Sequence, residues 1–249
     1  MTDNAFEAER RNNIAKIAGS EGFEAQTRDW MAQAQELKYS YNFDWLGLPI
    51  IQYPQDVMAM QELVWTLKPD LIVETGIARG GSAIFYASLL EMNALCGGPA
   101  NTEVVAIDVD IRAHNRSAIE AHPMAKRLHM IEGSSIDPEV VAQVKQRAEG
   151  CKSVLVCLDS NHTHDHVLEE LRAYAPLVTS GSYVVVFDTL IEDLPESAIG
   201  DRPWAPGNNP MTALYSYLEE DPAFEIDSAR HTKLQITVAK NGYLKRKDG

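Results

Sequence analysis

The chain has 249 residues, 36 of them acidic and 22 basic, for a formal net charge of −14. A surface this acidic excludes DNA or RNA as the main partner, because phosphate contacts need basic groups. It leaves room for a nucleotide-linked small molecule held by a few local groups. No run of eighteen apolar residues is present to span a membrane, and the polar stretch from Met1 to Arg11 is unlike a secretory signal. Cys96, Cys151 and Cys157 lack metal-ligand spacing and read as the thiols of a reduced, cytoplasmic chain.

Residues 1 to about 40 scatter Ile14, Ile17, Trp30, Met31 and Leu37 among charges, which predicts one or two helices packed on a main domain. These form an N-terminal helical extension, and residues 41–249 form the domain. The stretch YNFDWLGLPIIQYPQ, 41–55, reads as an irregular loop. Val57, Met60, Leu63, Val64 and Leu67 have helical spacing, and Pro69 ends that helix. From there strands and helices alternate. Strands are expected at Leu71–Glu74, Glu103–Ile107, Leu128–Ile131, Ser153–Leu158 and Tyr183–Phe187. Helices are expected at about Ser82–Met92, Ile111–Ala121, Glu139–Ala148 and His164–Ala173. A Pro-, Gly- and acid-rich loop covers 192–210, a helix follows over Met211–Glu219, and two late strands are expected at Phe224–Ile226 and Leu234–Ala239. This alternation predicts an α/β fold, a mostly parallel central sheet with helices on both faces. The N-terminal helices and late strands could also support a homo-oligomer.

In such sheets ligands bind beyond the carboxyl ends of the strands. Four expected strands end in an acid: Glu74, Asp108, Asp159 and Asp188. The first is followed by the turn VETGIARGGSA, in which Gly76, Gly80 and Gly81 let the backbone turn sharply around Arg79 before a helix that begins near Ser82. The spacing is G-x-x-x-G-G, not the dinucleotide pattern G-x-G-x-x-G. Glu74 would repel a pyrophosphate and attract the ammonium of S-adenosylmethionine (SAM). Asp108 stands where an acid can hold ribose hydroxyls, with Asp110 as its competitor. Ser135, in the EGSS turn, could border an adenine, although an N-cap at Ser135 or Asp137 before Pro138 explains that turn equally well. Asp159 and Asp188, on strands expected to be neighbours, could share a hard divalent ion. His162 could then take a proton from a substrate hydroxyl. His164 and His166 read as water-facing residues of a first helical turn. Trp204 and the Asn208–Asn209 pair could contact a sugar-like acceptor or simply pack in a surface loop.

Taken together, VETGIARGGSA, AIDVDIR, LDSNHTHDHVLEEL and GSYVVVFDT, in that order and spacing, resemble the cephalosporin hydroxylase-like family of SAM-dependent methyltransferases, which includes rhamnosyl O-methyltransferases. The resemblance runs from about residue 40 to 240, and WLGLPIIQYPQDVMAMQELVWTLKPD matches the family's lead-in to its first strand. It implies a Rossmann-like class I methyltransferase fold. Glu74, Gly76 and Ser82, with Arg79 and Gly80 of the same turn, would hold the methionine end of SAM. Asp108 would hold the ribose and Ser135 would sit near the adenine. Asp159 and Asp188 would bind Mg²⁺, and His162 would stand where catechol-type relatives place a lysine. The family often carries two adjacent acids after the fifth strand; here they are Phe187 and Asp188, so only Asp188 can ligate. The resemblance implies an O-methyltransferase acting on a small hydroxylated acceptor, a sugar or sugar-containing molecule in polysaccharide or natural-product biosynthesis. The alternatives are an NAD(P)-dependent oxidoreductase on a related fold, a non-catalytic scaffold, and an iron oxygenase built on Asp159, His162 and His164.

Overall fold

The computed structural model describes residues 4–248. Two helices lead, α1 (Asn4–Ala18) and α2 (Glu21–Glu36). α2 buries Met31 and Ala34 in the core, whereas α1 buries no side chain. The aromatic stretch expected to be an irregular loop is instead a hairpin, β1 (Phe43–Trp45) paired with β2 (Leu48–Ile50). Leu46 and Gly47 both take positive φ in its two-residue turn. That conformation suits a primed turn, but a leucine in the first position hides the signal. α3 (Pro54–Leu67) opens on a proline at its first position and closes on left-handed Lys68, just before Pro69.

The alternation then holds: β3 (Leu71–Thr75), α4 (Gly81–Leu95), β4 (Glu103–Asp108), α5 (Ala113–Glu120), β5 (Leu128–Glu132), α6 (Pro138–Ala148), β6 (Val154–Leu158), α7 (His164–Tyr174) and β7 (Tyr183–Val186). A short helix, α8 (Glu196–Ile199), interrupts the long loop before α9 (Pro210–Glu220), β8 (Phe224–Ile226), α10 (Ser228–Leu234) and β9 (Tyr243–Arg246). The sheet order is β5-β4-β3-β6-β7-β9-β8. Its strands are parallel except β9, which lies antiparallel between β7 and β8.

The expected strand at Leu234–Ala239 is also misplaced. Leu234 ends α10, Gln235 takes φ +59°, and the next residues find partners other than a strand. Asp56 of α3 accepts hydrogen bonds from Thr237 Oγ1 and from the Val238 N–H. The β-branched run is buried, but as a strap over the start of α3, and the strand comes after the turn at Asn241–Gly242.

Alternation along the strands sorts the core into two faces. Ile72, Val104, Ala106, Leu155, Cys157 and Val185 face α3, α4 and the hairpin. Leu71, Val73, Val105, Val156 and Val184 face α6, α7 and α9. α4 is buried around nearly its whole circumference, from Ala83 to Leu90, because the sheet covers one side and α3 the other. Chain order reverses between β3 and β6: strands β3, β4 and β5 step one way and β6 and β7 the other. This switch opens a crevice at the carboxyl ends of β3 and β6. The crevice is narrow at Gly76, where φ is +92° and a Cβ would overlap the backbone carbonyl of Asp159.

Two glycine variants separate these effects. Gly97 also has positive φ (+80°), but a Cβ there meets nothing. Gly97→Ala is expected to cost about 1 kcal/mol of strain alone. Gly76→Ala is expected to cost more and to weaken ligand binding as well, because β3 and β6 must part. Equal losses in urea unfolding would contradict this account of the crevice.

Candidate active site

Two adjoining cavities occupy the crevice. The larger, 520 Å³, is lined by Asp108, Val109, Ser134, Ser135 and His166. The smaller, 310 Å³, is lined by Gln35, Tyr41, Gln52, Arg79, Ser82, His162, Asp188 and Arg202. They meet at Gly76, Ala78, Asp159, Ser160 and Trp204, which line both. Strand register explains the meeting point. Thr75 pairs with Leu158, and Leu158 with Val186, so the chain leaves β3, β6 and β7 side by side.

Asp108 shapes the turn that faces it. Its Oδ2 accepts from the N–H groups of Ile77 (2.9 Å) and Ala78 (3.0 Å), and its Oδ1 from Asp110 N–H (3.1 Å). A carboxylate offers about four lone-pair sites, which leaves capacity for a ligand hydroxyl. Asp110 is exposed and pairs with Arg112 at 3.7 Å, so the turn uses Asp108 and not its competitor. Ser135 is buried, with its hydroxyl 3.0 Å from His166 Nε2, while Asp137 supplies the N-cap of α6.

Two of the expected residues do not reach a cavity wall. Gly80 backs onto α5, where a Cβ would strike Ile119, so its missing side chain serves packing. Glu74 lies beneath the turn, 2% exposed, with Oε2 lacking a partner among the described residues. Burial pushes its carboxyl up to about 8; a hydrogen bond with Ser82 opposes the shift and the charge of Asp108 adds to it. Arg79 stands exposed on the turn, and no carboxylate among the described residues pairs with it.

At the junction, Asp159, His162 and Asp188 offer ligand atoms that all lie within 4.8 Å of one another. His162 Nε2 is 3.0 Å from Asp188 Oδ2. The edge of the His162 ring meets Trp204 at 4.8 Å and 87°. Arg202 stacks on the Trp204 ring at 5.6 Å. Asp159 is held well above the ordinary carboxylate range by burial and by the charges of Asp188 and Glu74. Gln52 opposes that shift by donating Nε2–H to Oδ2 at 3.0 Å. Phe187, where the family often has a second acid, is 2% exposed in the core.

Several roles differ from the expected ones. His166 and His164 do not simply face water. His166 bonds Ser135 and lies 3.5 Å from Glu170, and His164 Nδ1 is 2.8 Å from Thr212 Oγ1. Asn208 and Asn209 hold the loop together. Asn208 accepts from the His164 N–H, and Asn209 caps α9 and donates to Glu192. The Asn209–Pro210 pair carries that capping signal in the sequence. Ser160, Glu170 and Gln52 were not foreseen: Ser160 donates to buried Glu170 at 2.6 Å, directly after Asp159. Nothing local distinguishes Gln52, which is brought to Asp159 by the unforeseen hairpin.

Residues 37–247 match the family described as Rhamnosyl O-methyltransferase/CmcI. The chain belongs to this family. It is thereby an O-methyltransferase, and the oxidoreductase and oxygenase alternatives fall away. The rhamnosyl O-methyltransferase of Mycobacterium leprae (strain TN) is 31% identical over 209 residues, covering 82% of each chain. That of Mycobacterium tuberculosis (strain H37Rv) is 30% identical over 230 residues, 88% of this chain and 86% of its own. Among solved structures, apo CmcI superposes with a TM-score of 0.57 at 18% identity, covering 84% of this chain and 78% of its own. The O-methyltransferase TomG of Streptomyces achromogenes, in complex with SAM, superposes at 0.55 and 19% identity, covering 89% and 90%. These likenesses establish the class I methyltransferase fold. No helix among the described residues is long and apolar enough to cross a membrane.

The buried Glu74 carboxyl makes stability depend on pH in a defined direction. Its folded pKa of about 8 lies above the ordinary 4.5, so its contribution is fully present below pH 4.5 and is lost as pH rises through 8. Glu74→Gln is therefore expected to flatten the fall in melting temperature across this window and to melt above the parent protein at pH 8.5. Parallel melting curves for the two proteins would show that Glu74 does not hold that proton.

Proposed function

We propose that the chain transfers the methyl group of SAM to a sugar hydroxyl, with a divalent ion, Mg²⁺, assisting at Asp159 and Asp188. The carrying observation is the pair of joined cavities, with the Asp159–His162–Asp188 cluster at their junction. The residues fit the cofactor. Gly76 lines both cavities with no side chain to fill them, Glu74 Oε2 is a buried acceptor without a partner among the described residues, and Asp108 binds the turn's amides. They fit the ion too, since the carboxylates of Asp159 and Asp188 offer a hard oxygen donor set within 4.8 Å of each other and of His162.

In this reading Asp108 and Ser135 hold the adenosine in the larger cavity. Arg79, Gly76 and Ser82 face the methionine end, and Glu74 lies buried beneath the turn. SAM supplies an electrophilic methyl group, and a bound divalent ion would lower the pKa of the acceptor hydroxyl. The chain itself aligns the two partners and excludes water. With Nε2–H donated to Asp188, His162 has Nδ1 free to accept the hydroxyl proton, and Asp188 then stabilises the imidazolium. The products are the methyl ether, S-adenosylhomocysteine (SAH) and a proton released from His162. Gln35 of the N-terminal extension, with Tyr41, Arg202 and Trp204 of the domain, walls the acceptor side. The helical extension of residues 1–40 therefore helps to form the acceptor site of the domain at 41–249. The rhamnosyl specificity named for the relatives supports a sugar acceptor, and three free cysteines support a cytoplasmic setting. A non-catalytic scaffold would have no use for a complete Asp159–His162–Asp188 cluster.

The test is transfer of labelled methyl from SAM to phenyl rhamnoside, with SAM binding measured separately by calorimetry. Asp159→Ala is expected to keep SAM binding and to lose at least about 100-fold in turnover, as removal of several kcal/mol of metal assistance implies. Undiminished turnover in that variant would rule out the metal role, and a parent protein that does not bind SAM would rule out the whole reading.

A further inference from the structure

Asp188 takes φ +55°, a conformation that a residue with a side chain holds only when its surroundings enforce it. The enforcing contacts come from the strap at Thr237–Lys240. Thr189 Oγ1 lies 2.6 Å from the Lys240 carbonyl oxygen and 3.2 Å from that of Val238. The Leu190 N–H donates to the same Val238 carbonyl at 3.2 Å. Val238 itself lines the smaller cavity.

The strap is gripped from its other side by Asp56. Thr237 Oγ1 donates to Asp56 Oδ1 at 2.5 Å, and Val238 N–H to Oδ2 at 3.0 Å. Tyr243 Oη lies 3.4 Å from Oδ1. Asp56 is 1% exposed and has no cationic partner among the described residues. Burial pushes its carboxyl up to about 7. A buried acid with only neutral partners is a costly way to fill space, and an apolar residue could pack against α3 without that cost. What the carboxylate does, and an apolar residue cannot, is take one donor from a side chain and one from the backbone of the strap, each on its own oxygen.

We propose that Asp56 is a positioning residue for the metal centre, acting through Thr237–Val238 and then Thr189 to hold Asp188 in its left-handed turn. This rests on the reading of Asp188 as a metal ligand. With Asp56 removed, the strap loses its anchor on α3. Thr189 loses two fixed acceptors, and Asp188 relaxes away from Asp159 and His162. Neither Asp56 nor Thr189 needs to touch the ion or the substrate.

The experiment compares Asp56→Ala, Thr189→Val and Thr189→Ser with the full-length parent. Mn²⁺ binding is followed by electron paramagnetic resonance, SAH binding by calorimetry, and amide exchange of the 186–191 segment is measured without metal. Asp56→Ala and Thr189→Val are expected to weaken Mn²⁺ binding by about 10-fold or more, the range found when groups that orient metal ligands are removed. SAH affinity should stay within about 3-fold of the parent value, the usual spread for a site whose own contacts are intact. Exchange at 186–191 should quicken in both variants. Thr189→Ser keeps the hydroxyl and is expected to restore parental Mn²⁺ affinity, which a purely volume-dependent role would not predict. If Asp56→Ala does not fold, the Thr189→Val and Thr189→Ser pair decides the matter. Parental Mn²⁺ affinity and parental exchange in Thr189→Val would overturn the proposal. A parent protein that binds no Mn²⁺ would overturn the metal reading instead, and the exchange data would still judge the brace.

Discussion

Like charges resist being brought together, and this sheet brings three carboxyls to the ends of three neighbouring strands. Glu74, Asp159 and Asp188 close β3, β6 and β7, and no lysine or arginine lies within ion-pair distance of them among the described residues. Burial is the main cause of the raised proton affinities of Glu74 and Asp159, and neighbouring charge adds to it, from Asp108 at Glu74 and from Asp188 and Glu74 at Asp159. A fold selected for stability alone would neutralise such a cluster from within. A positive group from outside, a sulfonium, an ammonium or a divalent ion, would take the place of those protons and neutralise the cluster.

The rest of the architecture keeps those acids in place. Gly76 lets β3 run against the Asp159 backbone, Gln52 reaches across from the hairpin to Asp159, and Ser160 ties the following residue to Glu170. On the far side, Trp204 backs His162, and the strap from Thr237 to Lys240 holds the turn at Asp188. Apart from the Ser160–Glu170 bond, each support is a contact between segments distant in sequence. The acidic tips alone would fly apart; the loops and the late C-terminal segment make them a site.

Much of this was legible in the sequence, and the reasons are physical. The strands are short apolar runs closed by acids, and their alternation with helices at 3.6-residue spacing leaves little choice but a parallel sheet. The acids past the strands marked the site because a parallel sheet gathers those ends on one edge. The hairpin at Phe43–Ile50 was not legible, because its turn places Leu46 at positive φ, where leucine is rare. The segment Leu234–Ala239 has strand composition but no strand, because Asp56 supplies the partners that a neighbouring strand would have supplied. Gln52 and Glu170 carried no signal and His166 read as water-facing, since each acquires its role only from a partner on another element. Asp108 lines the larger cavity, yet its contact with the glycine turn emerges only from the folded backbone.

The central claim is that the crowded acidic edge of the sheet exists to hold a cationic nucleoside beside a divalent ion. Diffraction from a crystal grown with SAH and Mn²⁺, recorded at the manganese absorption edge, tests it most directly. The account requires one strong anomalous peak between the carboxylates of Asp159 and Asp188, with the adenosine lying beside Asp108 and Ser135. A peak elsewhere, or SAH seated outside the Gly76 crevice, would contradict it.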